Sequence, residues 1–231
     1  MRNTIAIIPA RSGSKRIPKK NIALIQGQPA LARTIKNLHT SAIFDRIIVS
    51  TDSEEFGRIA TGAGAEVPFH RPTEISGDHT PTKDVIIHAL EMLGIDDDAQ
   101  VCCVYPTAVL SQPDTYIHSY QLSNHHSAKF VFPISGFRSN PQRALLLAED
   151  DQSIRPLNLE FSETRTQDLE PQFYDAGQFY WGSSSLWRSK KSIHENAIGF
   201  KVPWWQAIDV DDSDDLELLN FTFDYVERTN K

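Results

Sequence analysis

The sequence predicts an α/β fold on a mostly parallel sheet, and three observations carry that reading. An apolar run, residues 5–8, reads as a buried strand and stops at Pro9 before a turn-rich cationic stretch. Strand-like and helix-like segments then alternate: Leu31, Ile35 and Leu38 recur at helical spacing, the buried run 45–51 follows, and a second helical pattern comes after it. Two strand–helix units in a row call for a parallel sheet with right-handed crossovers. A further wholly apolar run, 101–105, repeats the strand signal before Pro106.

The elements follow in order. Pro29 suits the first turn of a helix that runs to Leu38. Ser53, followed by Glu54 and Glu55, is a cap with acids in the first turn, and Phe56, Ile59, Ala60 and Ala63 face inward. Gly62 and Gly64 read as that helix's C-terminal cap. A polar loop, 76–82, leads into a helix with Val85, Ala89 and Met92 on one face. Pro113 and Asp114 open another helix to about 123, and 129–133 is the next strand. Periodicity weakens over 135–171, where 144–147 is an isolated strand or hairpin arm and Asp150 and Asp151 mark a turn. An irregular stretch of that length is expected to be a lid or a dimerisation excursion. Strands at 176–181 and 196–203 resume the core, 206–210 is extended, and 213–229 is a helix with Leu216, Leu219, Phe223 and Val226 on one face.

The 231 residues fit one domain, 1–231, and the net charge of −7, from 23 Lys+Arg against 30 Asp+Glu, disfavours a nucleic-acid partner. Cys102 and Cys103 are adjacent on a strand and point to opposite faces, so both belong to the core and no disulfide is implied. No apolar run approaches membrane-spanning length, and the stretch before Pro9 is too short for a signal peptide, so a cytoplasmic protein is expected.

Two constellations carry chemistry. Arg11, Lys15, Arg16, Lys19 and Lys20 crowd the loop after the first strand, and Gly13 and Ser14 permit a turn whose backbone N–H groups form an anion nest. Strand C-terminal ends are where open α/β sheets place ligands. A solvated basic turn accounts for the charge equally well, and neither Walker A nor Gly-x-Gly-x-x-Gly spacing is present. Asp209 and Asp211, two residues apart on an extended segment, project to one side. Magnesium takes one or two carboxylates plus phosphate oxygens and water, which this pair fits. An acidic helix start is the other explanation; it suits Asp212, Asp214 and Asp215 better than Asp209, which lies between Ile208 and Val210.

The string Ile7-Ile8-Pro9-Ala10-Arg11-Ser12-Gly13-Ser14-Lys15-Arg16-Ile17-Pro18, closed by Lys20 and Asn21, resembles the signature of the CMP-sialic acid synthetase family, with Ser12 where that family usually has Gly. The resemblance implies a Rossmann-like three-layer nucleotidyltransferase sheet, mostly parallel, with a small excursion at about 135–171, and a homodimer. It implies magnesium-dependent transfer of a cytidylyl group from CTP to the anomeric hydroxyl of an acidic nine-carbon sugar. Under it, Arg11, Ser14 and Lys15 hold the phosphates and Lys20 and Asn21 sit by the base and ribose. Arg71, Asp78 and Thr80 form a second nucleotide-binding segment, and magnesium falls on Asp209 and Asp211. Arg11, Lys15 and Asp211 are the catalytic candidates. After the strand 101–105 this chain reads Tyr105-Pro106-Thr107-Ala108 where sialic acid enzymes usually read Gln-Pro-Thr-Ser-Pro. The blocks 140–145 and 174–181 resemble the branch that activates pseudaminic acid. Tyr105, Thr107, Arg165, Asp175 and Gln178 are the sugar candidates it implies, with Arg165 opposite the sugar carboxylate; a surface ion pair with Asp168 or Glu170 explains Arg165 as well. The same reaction on sialic or legionaminic acid is one alternative. A non-catalytic nucleotide-binding regulator is another, although a mere binder need not keep Lys15, Asp209 and Asp211.

Overall fold

A computed structural model describes residues 3–229. The chain runs β1 (Thr4–Pro9), β2 (Leu24–Ile25), β3 (Gln28–Pro29), α1 (Ala30–Ser41), β4 (Arg46–Ser50), α2 (Glu54–Gly62), α3 (Thr82–Met92), β5 (Gln100–Val104), α4 (Pro113–His125) and β6 (Val131–Gly136). It continues through β7 (Leu145–Leu147), β8 (Ile154–Pro156), β9 (Phe173–Asp175), β10 (Phe179–Ser183), α5 (Ser184–Arg188), β11 (Ile198–Lys201) and α6 (Ser213–Thr229). The main sheet has seven strands in the order β11-β6-β10-β5-β1-β4, with β9 also paired to β6. β1 is parallel to β4 and β5, and β11 to β6, while β10 runs antiparallel between β5 and β6. Five strands therefore share one direction and only β9 and β10 oppose it.

Strand alternation divides the core into two layers. Ala6, Ile8, Ile47, Val49, Cys102 and Trp181 meet Leu31, Ile35, Phe56 and Tyr116 from α1, α2 and α4 on one face. Ile5, Ile7, Ile48, Cys103 and Tyr180 meet Ile86, Ala89, Leu90 and Trp187 from α3 and α5 on the other. The two cysteines are buried, free and on opposite faces, as adjacent strand residues must be. A third cluster joins Ile208, Val210, Leu219 and Phe223 to Ile25 of the small β2–β3 hairpin, so α6 clamps the segment 207–212 beside the N-terminal loop.

Several expectations change. Pro29 ends the hairpin and caps α1 from outside it, because its backbone already pairs with Leu24. Met92 is exposed while Val85, Ile86, Ala89 and Leu90 are buried: α3 turns its next face to the sheet. The sixth strand begins at Val131 and runs on to Gly136, later than 129–133. Residues 207–212 form no strand; they follow a 3-10 turn, Trp204–Gln206, and are held by side chains. Within 135–171, β7 and β8 pair as a hairpin with Asp150 and Asp151 between them.

At Gly182 a Cβ would lie 2.8 Å from Cε1 of Phe130, a fully buried ring packed edge-on against Trp187. Gly182→Ala should therefore cost about 1–3 kcal/mol of stability, the overpacking range, measured by urea unfolding; an unchanged midpoint would show that Phe130 can shift.

Candidate active site

A cavity of about 270 Å³ opens where β1 and β5 end. Pro9, Arg11, Ser14, Lys20 and Asn21 enter its wall from the loop after β1, and Tyr105, Pro106 and Thr107 from the residues after β5. Arg71, Asp78 and Thr80 reach it from the connection between α2 and α3, and Asp209 and Asp211 from the segment before α6. Parallel β1 and β5 deliver both loops to the same end of the sheet, the position open α/β sheets use for ligands.

The loop after β1 is held by groups from distant elements. Asp78 bridges the Arg11 guanidinium and the Lys15 ammonium, the latter at 2.7 Å. Those two cations hold the Asp78 carboxyl below the usual carboxylate range, Lys15 first and Arg11 second. Lys15 itself is largely exposed and does not line the cavity, but it is bonded to Asp78, which does. Arg16 donates to Asp211 Oδ1 at 2.7 Å, and Lys20 Nζ to the Val210 carbonyl at 2.6 Å. Asn21 is buried and donates its amide to the Arg11 carbonyl at 2.9 Å, so it shapes the loop from beneath. Ser12 gives its N–H and its hydroxyl to the two oxygens of Asp52.

Arg71 is 2% exposed, and its Nε and Nη2 have no hydrogen-bond partner among the described residues. Burial lowers its pKa, the nearby Asp52 charge opposes that, and Arg11 adds to the lowering. Arg71 lines the cavity, but these two donors are themselves enclosed, and buried guanidinium donors are costly unless something accepts from them. Opposite, Asp209 is accessible along the cavity, yet the surrounding wall and then the Asp211 charge push its carboxyl above the usual range, with Lys20 pulling it back. A pair of carboxylates at odds in this way, offering only oxygen, fits a small hard cation. Gly177 leaves room for them: its φ is +62°, and a Cβ there would meet the Asp209 carboxyl at 3.3 Å. No cluster of three or more His, Cys, Asp or Glu that could hold a metal occurs among the described residues, so the remaining positions around such a cation would fall to ligand and water.

The sugar candidates divide. Tyr105 and Thr107 line the cavity; Arg165, Asp175 and Gln178 do not. Tyr105 shares a hydrogen bond of 3.0 Å with Thr82, and burial, the largest cause, pushes its phenol up to about 12, so it acts as a neutral hydroxyl and a ring. Its edge meets Tyr180, whose hydroxyl donates to Asp175 at 2.9 Å; His194 binds the same carboxylate oxygen at 2.7 Å. Gln178 donates to the carbonyls of Ala176 and Ile208, and so secures the segment that carries Asp209. Arg165 is exposed at the cap of a short turn, Thr166–Asp168. Residues missed by sequence reasoning also line the cavity: Ile75, Gly77, Thr82 and Val85 lie in or beside a segment already singled out, but no pattern marked them. Arg16 was visible as a loop cation, and only the fold pairs it with Asp211.

Comparison with known proteins agrees with this geometry. A family model described as Cytidylyltransferase matches residues 5–139. The chain is 35% identical over 222 residues to the pseudaminic acid cytidylyltransferase of Campylobacter jejuni serotype O:2, covering 95% of each chain. It is 29% identical over 215 residues to the N-acylneuraminate cytidylyltransferase of Escherichia coli O18:K1:H7, covering 93% of this chain and 50% of that one. Among solved structures, CMP:2-keto-3-deoxy-manno-octonic acid synthetase complexed with CTP aligns with a TM-score of 0.70 at 14% identity, over 96% of this chain and 99% of that one, a likeness of fold alone.

The raised Asp209 carboxyl has a consequence for stability. Its charged form is disfavoured in the folded state, so the stability it contributes is present below the ordinary carboxylate range and is lost as pH rises through its raised value. Asp209→Asn should therefore raise the thermal midpoint at neutral pH, in metal-free buffer, and flatten that part of the pH profile. A lower midpoint would mean that Asp209 is held by favourable contacts instead.

Proposed function

Because this chain belongs to the cytidylyltransferase family, we propose that it activates pseudaminic acid with CTP, giving CMP-pseudaminic acid and pyrophosphate. One observation carries the reading: a single cavity at the sheet's ligand-binding end is lined by Arg11, Ser14 and the buried cation Arg71, by Asp209 and Asp211, and by Tyr105 and Thr107. That arrangement supports a triphosphate, a cation and a sugar meeting in one place.

In this reading Arg11 and Lys15 exchange the Asp78 carboxylate for phosphate oxygens, Ser14 adds a loop hydroxyl, and Arg71 donates into the nucleotide. Lys20, Asn21 and Thr80 complete its enclosure. Asp209 and Asp211 hold a magnesium ion, which when bound neutralises phosphate oxygens and makes a nearby hydroxyl more acidic. The anomeric hydroxyl oxygen of the sugar attacks the α-phosphorus as its proton passes to solvent, a new P–O bond forms, and the bond from the α-phosphorus to the oxygen of the β-phosphate breaks, releasing pyrophosphate. Arg11 and Lys15 take up the charge that develops on the departing pyrophosphate, the electrostatic work that dominates phosphoryl transfer.

The sugar assignment is supported by the higher identity to the pseudaminic acid enzyme and by Tyr105, a ring and one hydroxyl where sialic acid enzymes usually present an amide. Behind it, Asp175 fixes Tyr180 and His194. Pseudaminic acid has a deoxy C9 and acylamino groups in place of hydroxyls, and a wall that presents the Tyr105 ring suits it. Each added hydroxyl left without a partner costs roughly 1–3 kcal/mol. With CTP and magnesium, pyrophosphate release should be higher in kcat/KM for pseudaminic acid than for N-acetylneuraminic acid by about tenfold or more, and chelation of magnesium should abolish it. Preference for N-acetylneuraminic acid would overturn the sugar assignment and leave the cytidylyl transfer standing.

A homodimer belongs to the same reading. Leu145, Leu147, Ile154, Leu157 and Leu159 are each more than half exposed on and beside the β7–β8 hairpin, and exposed apolar side chains gathered on one arm mark an interaction surface. Light scattering at micromolar concentration should give twice the chain mass, and Leu147→Asp with Ile154→Asp should halve it; a monomeric parent protein would refute the arrangement. No helix among the described residues is long and apolar enough to cross a membrane, in keeping with a cytoplasmic enzyme acting on small substrates.

A further inference from the structure

We infer that Asp52, just past the end of β4, is a positioning residue for the nucleotide, setting the phosphate loop through Ser12 and the cavity cation Arg71 through its charge. The inference rests on the nucleotide reading above.

Three consecutive residues form the template. The Ser50 carbonyl accepts from Ala10 N–H at 2.9 Å, and the Thr51 carbonyl accepts from Arg71 N–H at 2.9 Å. The Asp52 carboxylate then takes Ser12 twice, with N–H to Oδ1 at 2.8 Å and hydroxyl to Oδ2 at 2.7 Å. The end of β4 thus sets where the phosphate loop leaves β1 and where the chain carrying Arg71 passes. Asp52 Oδ1 also lies 3.8 Å from Arg71 Nη2, close enough to offset the burial of that guanidinium without hydrogen-bonding it. Arg71 lines the cavity with its Nε and Nη2 enclosed and unpaired among the described residues, and Asp52 itself does not line the cavity.

Ser12 matters because it stands where the resembled family usually has Gly. A Gly could supply only the N–H; the hydroxyl makes the hold on Asp52 bidentate. Bidentate bonds to a charged acceptor restrict the loop before ligand arrives, and such preorganisation lowers the cost of binding. Ser12, Asp52 and Arg71 therefore act as one coupled unit whose output is affinity for the triphosphate, while the reacting atoms lie elsewhere.

The test measures pyrophosphate release and, without sugar, CTP binding by calorimetry, alongside the thermal midpoint. Asp52→Asn keeps an acceptor for Ser12 and loses the charge facing Arg71. It should raise KM and Kd for CTP by about tenfold, the scale of one charge-assisted bond, with kcat within about threefold. Ser12→Ala should raise KM by about threefold, the scale of one neutral hydrogen bond, and Ser12→Ala combined with Asp52→Ala should bind CTP no worse than Asp52→Ala alone, because coupled residues are not additive. A purely structural role would lower the thermal midpoint and leave KM unmoved. If Asp52→Asn misfolds, Ser12→Ala still decides, since it removes one hydroxyl from a loop. An unchanged Kd for CTP in the folded variants, beside firm binding by the parent protein, overturns this inference alone. A parent protein that does not bind CTP overturns the nucleotide reading and this inference with it.

Discussion

A run of cations at a strand end repels itself, and in this protein acids from far along the chain come to meet it. Arg11 and Lys15 share Asp78, Arg16 reaches Asp211, Lys19 holds Glu55, and Lys20 caps the Val210 carbonyl. The partners stand 67, 195, 36 and 190 residues away from Arg11, Arg16, Lys19 and Lys20 respectively. The tethers come from three places, the start of α2, the approach to α3 and the adjacent residues Val210 and Asp211 before α6, so the loop is fixed only when all three are in place. This constraint accounts for an acidic chain, −7 overall, that presents a cationic site: the acids line up behind the loop as well as across from it.

The parts of this arrangement legible in the sequence are those governed by local rules. Continuous apolar runs marked the buried strands, and Ser53 was readable as a cap because its side chain has only its own helix to serve, accepting from Phe56 N–H. Adjacent Cys102 and Cys103 had to part to opposite faces. Residues whose roles are set by distant packing were not legible. An apolar run carries no mark of direction, so nothing local distinguished β10, antiparallel, from its parallel neighbours. The segment 206–210 has strand composition, yet Gln178 and α6 take its hydrogen-bonding and packing partners and it stays irregular. Gln178 entered as a sugar candidate through the resemblance of its block, and in the fold its amide satisfies two backbone carbonyls. Nothing local marks Asp52 either, because what it binds lies 40 residues earlier.

Around the cavity the aromatic groups form a second, separate system. Tyr105, Tyr180, Phe132 and His194 pack ring against ring, and Asp175 ties the Tyr180 hydroxyl to His194. Of these rings only Tyr105 lines the cavity, and the others pack behind it, so its ring has few rotamers to lose. The neutral Tyr105 phenol, already bonded to Thr82, adds one oriented polar group and no charge. The charges stay with the loop and with Asp209 and Asp211.

The contacts that meet the cations also differ in how easily they can be given up. Asp78 holds Arg11 and Lys15 through solvent-exposed pairs, which water screens and which a polyanion can replace. Arg16 on Asp211 is equally exposed on both sides. The hold of Asp52 on Ser12 is different, because it engages a backbone N–H, uses both carboxylate oxygens and sits partly buried. Although burial opposes it, the Ser12 bonds and the Arg71 charge keep the Asp52 carboxyl below its usual range, so this tether persists to lower pH than an unassisted one would. A site that must admit a triphosphate and then release pyrophosphate needs both kinds of contact. Its loop has to stay in register through a cycle in which the charges on its tips change partners. Exchangeable acids at the tips and a bidentate tether at the base meet that requirement within one short stretch of chain.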